Sequence, residues 1–142
     1  MTPRLRPQVR EVPAAEPGAG PIEHQRPAGL RRLWLAFVNS LRGFAGAFRE
    51  EAAFRQEVAL AVVAIPAGLW LGQGGLEKAI LIAPVLLILI VELLNSAVET
   101  AIDRIGMEHH ALSGLAKDIG SAAVLASFAL FAVVWVLVLF FR

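Results

Sequence analysis

The stretch Val91-Glu92-Leu93-Leu94-Asn95-Ser96-Ala97-Val98-Glu99-Thr100-Ala101-Ile102-Asp103-Arg104 decides how this sequence reads. It continues AILIAPVLLILI at 79–90 without a break. Glu92, Asn95, Glu99 and Asp103 are spaced by three, four and four residues. At about 100° per residue these positions fall within roughly 80° of one helix face. Ser96 borders that face. A helix end emerging into water accounts for Asp103 and Arg104. It does not account for Glu92, which has an apolar run before it and Leu93 and Leu94 after it. Ionisable groups inside a membrane helix are costly, face protein or an aqueous cavity, and mark function.

Outward from this segment lie two more apolar runs, VALAVVAIPAGLWL at 58–71 and a longer one from Ile119 to Phe141. A membrane span needs about 20 helical residues. The 58–71 run reaches that length by continuing back through Glu51–Glu57, and the 79–91 run by continuing forward to Arg104. Spans are thus expected at about 51–72, 77–106 and 116–141, with Pro66 and Pro84 tolerable inside them. Leu30, Trp34, Phe37, Leu41, Phe44 and Phe48 recur every three or four residues, with Arg31, Arg32, Arg42 and Arg49 on another face. That pattern predicts an amphipathic surface helix over about 29–50, lying in the membrane interface. Residues 1–28 hold Pro3, Pro7, Pro13, Pro17, Pro21 and Pro27, six of the eight prolines. They read as a disordered tail before a membrane domain at 29–142. Nine of the 13 Lys and Arg precede Val58, so the positive-inside rule puts the N-terminus and the connection after the second span in the cytoplasm.

The composition fits an all-α integral membrane protein. Hydrophobic residues make up 57% of the 142 and charged residues 18%, too apolar for an ordinary soluble domain. The chain has no cysteine, which excludes disulfides, thiol catalysis and thiolate metal sites. The three histidines lack zinc-type spacing, so a metal would be a hard, oxygen-ligated ion such as Mg²⁺. Carboxylates recur at Glu50, Glu51 and Glu57, at the start of the first span. A third polar cluster, with Lys117 and Asp118, runs from Ser113 to Ser121 at the start of the last. All three clusters are expected at the cytoplasmic level. Carboxylates for a metal, a lysine as a point charge for phosphate, and a glutamate as general base are the parts that phosphoryl transfer requires. No GxxxxGK[ST] segment exists, so a P-loop is ruled out. Lys117–Asp118 also suits a helix start, a bland alternative. Ala122, Ala126 and Ser127 form a small-residue face for helix packing. Three helices alone would not readily shield the polar stripe, which implies further helix partners.

EAAFRQE at 51–57, VELLNSAVETAIDRIG at 91–106 and LSGLAKDIGSAAVL at 112–125 resemble the hallmark blocks of the prokaryotic diacylglycerol kinases. The resemblance runs from about Gly29 to the C-terminus. It implies a homotrimeric bundle with three spans and one surface helix per subunit in the bacterial inner membrane. It also implies transfer of the γ-phosphate of ATP to diacylglycerol, with composite sites between subunits. By resemblance, Glu92 is the catalytic base with Asn95 beside it, and Glu51 and Glu99 bind Mg²⁺. The nucleotide contacts would be Arg32, Asn39, Glu51, Glu99, Glu108, His109, His110, Lys117 and Asp118. The lipid contacts would be Arg32, Ala53, Phe54, Arg55, Gln56, Glu57, Glu92 and Ser121. The chain has no tyrosine, and the family often carries one where Asn39 and His109 stand. Two alternatives remain at this point: a kinase of the same chemistry acting on undecaprenol, and a non-enzymatic, ion-conducting membrane oligomer using the acidic stripe.

Overall fold

The computed structural model describes residues 29–105 and 110–141. The expected tail at 1–28, and Glu108 and His109, lie outside the described residues. Four helices follow one another: α1 (Leu30–Glu50), α2 (Ala52–Leu71), α3 (Gly75–Ile105) and α4 (Ala111–Phe140). Helices α2, α3 and α4 are long and apolar enough to cross a membrane, and no strand occurs among the described residues. The last helix starts at Ala111 rather than at about 116. The reason is a cap: His110 Nδ1 accepts from the Leu112 backbone N–H at 3.2 Å, satisfying a donor that a helix start leaves orphaned.

The packing of α2 on α3 follows from side-chain size. Phe54, Glu57, Ala61, Ala64 and Gly68 are the buried residues of α2. Their alternating three- and four-residue steps make one straight seam. Its small members let the helices approach: a Cβ on Gly68 would stand 3.2 Å from Leu81 Cβ. Close approach of this kind, through dispersion contacts, is what joins helices in an apolar solvent. The facing seam on α3 is Leu81, Val85, Ile88, Glu92 and Ser96, all buried. α4 covers another side of α3. Trp135 reaches across to donate its Nε1–H to the Leu81 carbonyl at 2.9 Å and packs on Phe131, ring centroids 5.1 Å apart. This tie lies beside Pro84, which has no N–H to give the carbonyl of Ile80.

One extended residue, Glu51 (φ −99°, ψ 115°), separates α1 from α2. Its N–H still bonds Ala47 O at 2.9 Å. Arg55, in the first turn of α2, donates Nη1 to Phe48 O at 3.2 Å and Arg49 O at 2.9 Å. The guanidinium thereby fills carbonyls that the end of α1 would leave unpaired. Phe44 and Phe54 meet across the joint with ring centroids 6.4 Å apart. Otherwise α1 leaves its large apolar side chains exposed, from Leu30 to Phe48.

Candidate active site

Both helix seams change from apolar to acidic at matching places. Glu57 on α2 and Glu92 on α3 occupy core positions, 5% and 4% exposed, and lie within electrostatic reach of each other. Glu92 is also within reach of Glu99, about two turns further along α3, and of Glu51 at the α1–α2 joint. Four carboxylates therefore converge on one zone from two helices and a joint. The expectation that three helices could not shield the stripe is corrected in part. Within a single chain α2 and α4 flank α3, and Glu92 and Ser96 are buried. Glu99 remains half-buried and Asp103 exposed.

The zone is rich in unspent hydrogen-bonding capacity. Glu57 Oε2, Asn95 Oδ1 and Ser96 Oγ are buried and have no hydrogen-bond partner among the described residues. Buried polar atoms are nearly always paired, so Glu57 Oε2 and Ser96 Oγ stand out as unpaired, while Asn95 Oδ1 lies against the backbone of Gly120 on α4. Asn95 is oriented from its other end, where Nδ2 donates to Glu99 Oε1 at 3.0 Å. On α4, Lys117 Nζ donates to Asp103 Oδ1 at 2.6 Å and is within electrostatic reach of Glu99. Lys117 and Asp118 stand in the second turn of α4, so capping its start is not their role; His110 does that.

The other expected site residues are placed as follows. Arg32 and Asn39 are exposed on α1 and are not among the groups around Glu92. Ala53, Gln56, Asp118 and Ser121 are exposed, whereas Phe54 is core. A groove of about 720 Å³ separates α1 from α3 and touches Ser40, Phe44, Glu51, Ser96, Thr100 and Arg104. A second, about 680 Å³, runs beside it under Leu41, Phe48, Phe54, Val58 and Leu89 and is mainly apolar. Both grooves are mainly apolar, and the first carries Glu50, Glu51 and Arg104 among its lining residues.

No three Asp, Glu or His side chains form a ready-made metal cage among the described residues. Mg²⁺ does not ask for one, since it takes one or two carboxylates and completes its shell with phosphate oxygens and water. Glu51 and Glu99, both within reach of Glu92, fit that requirement. Sequence reasoning missed two features. Asp103 reads as a solvated helix end, yet it pairs with a lysine fourteen positions away. Glu57 reads as part of a polar extension, yet the three–four pattern through Phe54, Ala61 and Ala64 places it in the core.

Comparison with known proteins adds a family. The model of the prokaryotic diacylglycerol kinases matches residues 38–139. A diacylglycerol kinase of Haemophilus influenzae is 48% identical over 113 residues, covering 80% of this chain and 96% of that one. One from Pseudomonas aeruginosa is 50% identical over 111 residues, covering 78% and 90%. One from Escherichia coli K12 is 43% identical over 111 residues, covering 78% and 91%.

Proposed function

The chain belongs to the prokaryotic diacylglycerol kinase family, and from that premise we propose that it phosphorylates diacylglycerol with ATP, giving phosphatidic acid and ADP at the cytoplasmic membrane interface. The observation that carries this reading is Glu92, a carboxylate in a core position with Glu51, Glu57 and Glu99 around it. Glu92 accepts the proton of the lipid hydroxyl. The hydroxyl oxygen forms its bond to the γ-phosphorus as the bond to the β–γ bridging oxygen breaks, and ADP leaves. Asn95, tied to Glu99, orients the groups beside the base. Glu51 and Glu99 would hold Mg²⁺, which when bound would offset the phosphate charge. Lys117 supplies a further positive charge for the phosphates.

The rest of the assignment rests on the resemblance. Arg32, Asn39, Glu108, His109, His110, Lys117 and Asp118 contact the nucleotide. Arg32, the 53–57 stretch and Ser121 contact the lipid. Three subunits assemble in the inner membrane with their N-termini cytoplasmic, α1 lies in the interface, and 29–142 is the catalytic domain. The relatives' names support diacylglycerol over undecaprenol as acceptor, and a kinase over an ion-conducting bundle.

The test is direct. Purified protein in lipid with diacylglycerol and Mg-ATP should yield phosphatidic acid, and faster than undecaprenol is phosphorylated in a parallel assay. Glu92→Gln should lower turnover by about 10²–10⁴-fold, the usual contribution of a general base, with the oligomer intact by size-exclusion. An active Glu92→Gln variant would remove the mechanism. Preference for undecaprenol would keep the chemistry and change the substrate.

A further inference from the structure

Helix α4 passes Asn95 at Gly120. A Cβ built on Gly120 would stand 3.2 Å from Asn95 Cγ and overlap Asn95 Oδ1, and the three nearest atoms all belong to Asn95. Asn95 is therefore confined from two sides. Its Nδ2 is tied to Glu99 Oε1, and its buried, unpartnered Oδ1 faces the bare Cα of Gly120. The amide is planar, so a push on Oδ1 turns Nδ2 with it and away from Glu99. The neighbouring Gly114 on the same helix has nothing within 4 Å of its would-be Cβ; closeness is particular to position 120.

We propose that Gly120 is a positioning residue of the kinase: the absence of a side chain there sets the Asn95 amide, and through it the Glu99 carboxylate. This rests on the roles assigned to Asn95 and Glu99 above. A purely architectural glycine would serve helix packing and leave the amide indifferent.

Two measurements separate these. The chain has only two asparagines, Asn39 and Asn95, so protein labelled with ¹⁵N in asparagine alone gives two side-chain amide pairs. Gly120→Ala should shift the Asn95 pair and leave Asn39 in place, while Gly114→Ala shifts neither. In the assay, Gly120→Ala should lower kcat by on the order of 10²-fold, the cost of about 1 Å of misplacement. The KM for diacylglycerol should stay within about two-fold, because uniform binding is untouched. Combined with Asn95→Ala, it should cause no further loss. An unmoved Asn95 amide, or the same loss factor in both backgrounds, would overturn the proposal. If Gly120→Ala does not fold, Gly120→Ala with Asn95→Ser makes room and should fold; failure of that pair also overturns it. Were the wild type inactive on every lipid alcohol, the function would fall, while the amide spectrum would still test the contact.

Discussion

Glu57 and Glu92 each sit where a membrane helix would gain most from leucine or alanine. The neighbours on their seams are Phe54 and Ala61 on α2 and Ile88 and Ser96 on α3. Two carboxyl groups within mutual reach, one with an orphan oxygen, cost stability in a poorly solvated place. Glu57→Gln should therefore hold or raise thermal stability, by on the order of 1 kcal/mol, while turnover falls. Thermal denaturation in detergent beside the lipid-kinase assay checks both halves, and loss of stability with full activity would contradict the expectation. The sequence exposes Glu92 readily, because thirteen apolar residues lead up to it. Glu57 is harder to see, since the side of α2 that meets α3 is fixed by contact and not by polarity. The Asp103–Lys117 pair and the Gly120 approach are invisible to spacing, because they depend on how two helices cross.

At the scale of the helices, α3 is the shared partner: α2 meets it through small residues and α4 through Trp135. The indole bond to the Leu81 carbonyl is the polar tie between α3 and α4 at that level. Trp135→Phe keeps the ring contact with Phe131 and removes the N–H. It should cost about 1 kcal/mol, seen as a lower melting point with kcat retained, because the tie is about three turns from Glu92 along α3. A collapse of activity at unchanged stability would mean that this contact does more than hold the helices. The end of α2 at Leu71 coincides with the end of an apolar run, whereas α3 runs on past Val91 through polar residues, a continuation that span length and not hydropathy calls for. The early start of α4 was not legible, because LSGLAKD is too polar to suggest a continuous span, and only the His110 cap explains it.

Across the whole molecule, the share of each span's most apolar window that is buried falls from 28% in α2 and 33% in α3 to 6% in α4. One chain buries Glu57 and Glu92 but leaves α4 open to lipid or to other subunits. On the proposed assembly, size-exclusion with light scattering should return three chains per particle. Deleting residues 2–28 should leave both that mass and the kinase rate within about two-fold, since the family match begins only at residue 38; the comparison bears on the proposed domain boundary, and a ten-fold loss would move it. The two seams carry a final implication. Acids in load-bearing slots oppose heat resistance and serve chemistry, so the two traits pull the same codons in opposite directions. Left to a screen for thermostability alone, this protein would drift toward aliphatic residues at 57 and 92, and an increasingly robust bundle would emerge with nothing left to do.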